Sequence, residues 1–312
     1  MSSRPRYLIV GASGTLGASL RRTLGENASI ATYCRTPIPG GIYFDVLTMS
    51  LSAVLGEAGP ATHAFLFHGT TNIDACARDP DGSHQLNVDS TCRLIDQLAE
   101  RGIMPVFASS DAVFQGSHGV CTEDDAPDPI LTYGRQKLEV EQHLSRRGGK
   151  WLVVRLAKVV GTRVRGDMLE EWMETLDSGR SIRCAYDQVL SPVHVDDVAQ
   201  SLAGLAAGSH TGLFHLAGPT VLTRWELLQM LLEEVRCYRP CAPSLVSCSL
   251  REFDFAEPRP LDSSMSGMKL ETALHRRCMS MEDACKRAAS SRYRSAGGGN
   301  AGKDTSVGRS EQ

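Results

Sequence analysis

Two kinds of apolar pattern alternate along the first half of the chain. Runs that are apolar at consecutive positions read as strands buried on both faces: RYLIVG (6–11), SIATYC (29–34), IYFDV (42–46), HAFLFHG (63–69), MPVFASS (104–110) and KWLVVRL (150–156). Between them, apolar residues recur at helical spacing. Leu16, Leu20 and Leu24 lie four apart, and the stretch from Leu86 to Leu98 keeps one apolar face until Gly102 stops it. Strands covered on both faces need helices above and below. The alternation therefore predicts an α/β fold, with a Rossmann-type doubly wound parallel sheet over residues 1–160.

Past residue 160 the rhythm loosens. GDMLEEWMETL (166–176), VDDVAQSLAGLAA (195–207) and TRWELLQMLLEEV (223–235) read as helices, the last opened by Thr223 and Glu226 at capping-box spacing. LFHLAG (213–218) reads as a further strand, and prolines at 240, 243, 258 and 260 break the chain beyond the last helix into loops. The pattern predicts that 190–218 returns to the first lobe, while 161–189 and 219–288 form a smaller C-terminal lobe. From Lys286 to Gln312 there are six Lys/Arg against two acids and almost no aliphatic residues, so residues 289–312 are expected to form a disordered tail.

Composition narrows the classes. The 312 residues are 42% hydrophobic and 22% charged, as in an ordinary globular enzyme, and the formal charge of −3 gives no reason to expect a nucleic-acid partner. No apolar run approaches the ~18 residues of a membrane span, and the short YLIV run leads straight into glycines, as a buried strand does rather than a secretory signal. Ten scattered cysteines without a CxxC pair point to reduced thiols in the cytoplasm. Cys237, Cys241 and Cys248 cluster, but no histidine follows at metal-ligand spacing, so no metal site is expected.

Two stretches carry chemistry. GASGTLG (11–17) follows the first strand and opens the first helix. Gly11 suits the tight turn, Gly14 the close approach of a pyrophosphate and Gly17 the packing of helix on sheet. Gly11, Ser13, Gly14, Thr15, Leu16 and Gly17 are therefore the expected dinucleotide-facing set. The second strand ends in TYCRT, with Arg35 where an NAD-selective site places an acid, which favours NADP (as NADPH) and leaves NAD as the alternative. TYGRQK (132–137) sets Tyr133 four residues before Lys137, on one helix face. A phenol titrates near ~10, and an adjacent ammonium is expected to lower that value and make it a usable acid.

With the glycine turn, SSD (109–111) and YGRQK (133–137) in hand, the chain resembles the extended short-chain dehydrogenase/reductase superfamily. Within it, the chain is most similar to the dTDP-4-dehydrorhamnose reductase family, over roughly residues 6–288. NIDACARDPDGSHQLNVDST (72–91), FASSDAVFQG (107–116), TEDDAPDPILTYGRQKLEVE (122–141), DQVLSPVHVDDVA (187–199), LFHLAGPTVLTRWEL (213–227) and RPLDSSM (259–265) follow the family's order. The resemblance implies an NAD(P)H-dependent reductase of a nucleotide-linked 4-keto-6-deoxysugar. Tyr133 would be the proton donor, Lys137 would lower its pKa and hold the nicotinamide ribose, and Ser110 would bind the carbonyl oxygen. Asp45 would be the adenine-side contact, and Asn87 would tie the helix to the active-site strand. Asp111, Ala112, Lys158 and Arg259 would stand on the substrate side, with Arg259 near the diphosphate. A nucleotide sugar is the expected partner, and a homodimer fits the family.

The chain also departs from that pattern. Ala112 stands where the family usually has a tyrosine, Gln115 where it has an aspartate, and Lys158 where a tryptophan packs on the substrate. Losing two aromatics is expected to open the pocket, and Lys158 brings a cation that suits a carboxylate or phosphate on the substrate. Two alternatives stay open: a non-catalytic cofactor-binding regulator like the one partnering methionine adenosyltransferase, and a nucleotide-sugar epimerase. His63, His68, His194 and His215 read as structural histidines, with His68 nearest the cofactor side.

Overall fold

A computed structural model of the protein describes residues 6–161 and 166–294. In chain order the first lobe runs β1 (Tyr7–Val10), α1 (Thr15–Leu24), β2 (Ser29–Tyr33), β3 (Ile42–Tyr43), α2 (Leu51–Ala58) and β4 (His63–Leu66). Next come α3 (Ile73–Arg78), α4 (Pro80–His84), a π-helical turn (Gln85–Asp89), α5 (Ser90–Glu100), β5 (Met104–Ser110), α6 (Thr132–Arg147) and β6 (Leu152–Leu156). Beyond them lie β7 (Val159–Val160), α7 (Met168–Asp177), β8 (Ile182–Ala185), β9 (Val189–Leu190), β10 (Val193–His194), α8 (Val195–Ala207) and β11 (Gly212–Leu216). The chain continues through β12 (Leu222–Thr223), α9 (Arg224–Arg236), β13 (Leu245–Cys248), α10 (Met268–Leu274) and α11 (Met281–Tyr293).

Seven strands form one sheet in the order β11-β6-β5-β4-β1-β2-β3, every neighbour parallel. Successive strand residues serve opposite layers. Ile9 and Phe65 join Leu20, Val198 and Leu202 on the side of α1 and α8, while Leu8, Val10 and Leu66 join Leu51, Ile95, Leu98 and Val140 on the side of α2, α5 and α6. That alternation is why the strands read as continuously apolar. The strand order reverses between β1 and β4, and in such sheets the crevice at the carboxyl ends of those strands is where ligands bind.

Residues 190–218 contribute α8, which lies on α1, and β11, which pairs with β6. A second apolar core belongs to α7, α9 and α11, with Leu169, Trp172, Leu228, Leu231, Met281 and Ala288 at its centre. Thr223 and Glu226 form a complete capping box on α9.

The expected tail boundary needs correcting. Residues 289–293 belong to α11, where Ala288 and Ala289 are buried, Arg292 pairs with Asp177 and Glu170, and Tyr293 stacks on Tyr238. Small alanines let this helix approach the lobe core closely, which a reading based on missing aliphatic residues overlooks. Residues 295–312 of that stretch lie outside the described residues. The expected strand 42–46 is also shorter, ending at Tyr43, because Asp45 organises a turn there. All ten cysteines are free.

Candidate active site

Each glycine of the first turn has its own reason to be one. Gly11 sits at φ +88°, in the left-handed region, and a Cβ there would come within 3.1 Å of the His68 nitrogen. A Cβ on Gly17 would lie 2.6 Å from the Ala12 Cα, inside the contact between α1 and the strand. Gly14 differs. It is exposed, has ordinary backbone angles (φ −78°, ψ 167°), and a Cβ there would meet only the Gly11 carbonyl at 3.4 Å. No protein atom demands its glycine, so the requirement points outward, to something that approaches the backbone from solvent. Gly14 is also the N-cap of α1, which has no side-chain cap and no acid in its first turn. Ser13, Thr15 and Leu16 stand half-buried around it. An uncapped helix start with open space at Gly14 is the kind of place where backbone N–H groups and the helix dipole favour an anionic group.

The neighbouring candidates divide. Arg35 is exposed just past β2. Asp45 spends its carboxylate at home, accepting from the Leu47 nitrogen at 3.0 Å and the Thr48 hydroxyl at 2.9 Å. The hydrogen bonds of Asn87 run to the loop after β4 and to α6 rather than to β5. Its Oδ1 accepts from the Thr70 nitrogen at 2.8 Å, and its Nδ2 donates to the Thr70 carbonyl at 2.9 Å and to Gln136 Oε1 on α6 at 2.8 Å.

β5 and α6 bring the reactive set together. Ser110, Asp111 and Ala112 come off the carboxyl end of β5, and Tyr133 and Lys137 come from the first turns of α6, both buried. The Ser110 hydroxyl donates to Asp111 Oδ1 at 2.7 Å, accepts from the Ala112 nitrogen at 3.2 Å and lies against the Tyr133 phenol. Lys137 Nζ donates to the Ala108 carbonyl at 2.7 Å and stands 5.5 Å from the centre of the Tyr133 ring. Gly134 is obligatory, since a Cβ there would lie 2.8 Å from the Ala112 carbonyl carbon.

The electrostatics correct one expectation. Lys137 does not acidify Tyr133 in the protein itself. Burial raises the phenol above its usual range, Asp111 and Cys76 add to the rise, and only the Ser110 hydroxyl opposes it. The ammonium group is committed to the Ala108 carbonyl, and burial lowers its own pKa to about 8, against the pull of Glu141 one turn further along. Burial also raises the Asp111 carboxyl, opposed by Ser110, Ser263 and Lys158. His68, held by Thr91 at 2.9 Å, falls to about 3 and is neutral, its Nδ1 buried without a partner.

The substrate-side candidates scatter more. Lys158 is exposed and close enough to Asp111 to hold its carboxyl down. Ala112 is buried and packs with Cys76, Leu131 and Tyr133. Arg259 pairs with Asp74 at 2.6 Å and covers the Phe255 ring at 4.7 Å, leaving its Nη1 buried without a partner. His194 caps α8 through Nδ1, and His215 lies buried between Arg155 and the Cys121 carbonyl.

Three contributors escaped the sequence reading. Glu141 accepts from Ser109 and pairs with Arg155 at 2.7 Å, a buried charge pair directly behind Lys137. Both were signalled, Glu141 by its place four residues after Lys137 and Arg155 as a charge inside the apolar run LVVRL. Glu257, which reaches the first residue of α6 at 3.0 Å, had no local signal.

A doubly wound dinucleotide-type sheet, with a buried tyrosine and lysine one turn apart beside its switch point and a second lobe appended, defines an extended short-chain dehydrogenase/reductase. The chain belongs to the RmlD substrate binding domain family, which matches residues 5–293. It is 29% identical over 288 residues to methionine adenosyltransferase 2 subunit beta of Mus musculus, covering 86% of this chain and 82% of that one. Among solved structures, a hypothetical dTDP-4-dehydrorhamnose reductase from Sulfolobus tokodaii superposes with TM-score 0.75 at 25% identity, covering 86% of this chain and 94% of that one. The dTDP-4-dehydrorhamnose reductase of Bacillus anthracis, solved with NADP, gives TM-score 0.80 at 22% identity, covering 91% and 98%.

Proposed function

We propose that this protein is an NADPH-dependent reductase of a nucleotide-linked 4-keto-6-deoxysugar. The observation that carries the reading is the meeting of the Tyr133 phenol and Ser110 hydroxyl at the carboxyl end of β5, with Lys137 one turn along the same helix. The glycine turn fits a dinucleotide because Gly14 is glycine for no internal reason. Arg35 past β2 suits a 2′-phosphate, which favours NADP over NAD.

When bound, the reduced nicotinamide supplies the hydride that enters the keto carbon. As the C=O electron pair moves onto oxygen, the Tyr133 hydroxyl and the Ser110 hydroxyl, once its O–H turns from Asp111 Oδ1 to the substrate, stabilise the growing charge, and Tyr133 transfers its proton to the alkoxide. Tyr133 stays protonated at neutral pH, and an alkoxide is a stronger base than a phenolate, so the transfer runs downhill. Lys137, fixed on the Ala108 carbonyl, would use its remaining N–H bonds to hold the nicotinamide ribose. Lys158, exposed near Asp111, recognises an anionic group on the substrate.

The test is oxidation of NADPH, followed by absorbance, across a panel of dTDP- and UDP-linked 4-keto-6-deoxysugars. The reading predicts consumption with at least one member. A second reading has a specific observation behind it, the likeness to methionine adenosyltransferase 2 subunit beta over most of both chains. It makes the protein a cofactor-binding regulatory subunit, and tight NADPH binding with no oxidation across the panel would favour it.

A further inference from the structure

The catalytic helix has no cap of its own. Leu131 occupies the N-cap of α6 and offers no side-chain acceptor to the free N–H groups of the first turn. The acceptor comes from 125 residues away. Glu257 Oε2 accepts from the Thr132 nitrogen at 3.0 Å, and Oε1 accepts from the Thr132 hydroxyl at 2.7 Å and from Arg135 Nη2 at 3.2 Å. Thr132 is the residue immediately before Tyr133. The same loop is pinned a second time. Asp74 on α3 accepts from the Ala256 nitrogen at 2.9 Å and from Arg259 Nη2 at 2.6 Å, while Ile73 and Cys76 of α3 pack in the cluster that holds Tyr133. Two carboxylates facing opposite ways thus stitch one loop to both helices that grip the phenol. Glu257 carries negative charge at the positive end of α6, where a side chain does most to fix the first turn.

We propose that Glu257 is a positioning residue: it fixes the first turn of α6, and with it the Tyr133 hydroxyl against Ser110, so that loop 253–260 governs the proton-transfer geometry. The proposal rests on the reductase reading and adds a mechanical link between the loop that carries Arg259 and the proton donor. Glu226 is its natural control, since its carboxylate caps α9 in the same way, accepting from the Thr223 nitrogen at 2.6 Å and hydroxyl at 2.8 Å, away from the site.

The experiment compares full-length wild type, Glu257→Ala, Glu257→Gln and Glu226→Ala. The readouts are melting temperature, steady-state kinetics and hydrogen exchange of the amides of residues 131–137. Because small misplacements of a reacting group cost large factors in rate, Glu257→Ala should lower kcat by about 10- to 100-fold while KM for NADPH stays within about twofold. Glu257→Gln keeps the shape and one acceptor, so it should fall between, and it carries the comparison if the alanine variant does not fold. Glu226→Ala should lose comparable thermal stability with kcat unchanged. Exchange at 131–137 should accelerate about tenfold or more in Glu257→Ala alone. Wild-type kcat in Glu257→Ala, a parallel fall in Glu226→Ala, or unchanged exchange at 131–137 overturns the proposal. If wild type turns over nothing in the panel, the reductase reading fails separately, and the exchange comparison still decides whether Glu257 holds the helix.

Discussion

At Gly14 and Gly17 one atom separates binding from folding. Gly14→Ala adds a Cβ that meets nothing closer than 3.4 Å, so its melting temperature should stay near wild type while NADPH affinity falls about tenfold or more. Gly17→Ala forces a Cβ against Ala12 and should destabilise by about 1–3 kcal/mol. Titration calorimetry and thermal melts distinguish the two, and equal stability losses would make the turn merely structural. Lys137 gives a pH prediction. Burial holds its folded pKa at about 8, so its charge is lost above that value, and the alkaline limb of kcat/KM should fall near pH 8. A limb near the ordinary phenol value of 10.0 would show instead that Tyr133 titrates there despite its burial. Tyr133 and Lys137 were legible because a four-residue spacing fixes their shared face. The direction of the phenol's shift was not, because it depends on burial and on Asp111 and Cys76, which only the tertiary fold brings together.

The elements of the first lobe were readable because each strand is covered on both sides, and that produces unbroken apolar runs. α6 shows the limit of such reading. Its helical face announced Tyr133, Lys137 and, one turn further, Glu141, but its cap comes from Glu257 across 125 residues of sequence. Behind it, Glu141 and Arg155 form a buried pair that also receives Ser109. Breaking one side strands the other charge, so Arg155→Met should cost about 3–5 kcal/mol in urea unfolding. A double replacement of Glu141 and Arg155 by apolar residues of similar size should recover most of that loss. If the single and double variants are equally unstable, the pair is not the source of the cost.

Across the whole molecule, distant parts of the chain meet at Tyr133. The first lobe supplies the glycine turn and α6 with Tyr133, while the chain beyond residue 160 supplies both the α7, α9 and α11 core and the loop that holds α6. Two helices of the second core, α7 and α9, could be inferred from the apolar spacing after residue 160. Its third helix could not, because α11 packs through Ala284, Cys285, Ala288 and Ala289, residues too small to announce an apolar face. A chain ending at Ser280 should therefore unfold at lower temperature in two calorimetric steps, the second lobe first, yet bind NADPH within a few fold of wild type. A single step at the wild-type temperature would deny α11 its place in that core.

The central claim is that a buried, fully protonated Tyr133 hands its proton to a ketone oxygen. The most direct measurement compares wild type with Tyr133→Phe for NADPH binding and for turnover of the best substrate in the panel. Loss of the hydroxyl should leave cofactor affinity intact and lower kcat by about 10²- to 10⁴-fold, the usual contribution of a general acid. Turnover in Tyr133→Phe within about threefold of wild type would contradict the account, because no general acid can be removed at so small a cost.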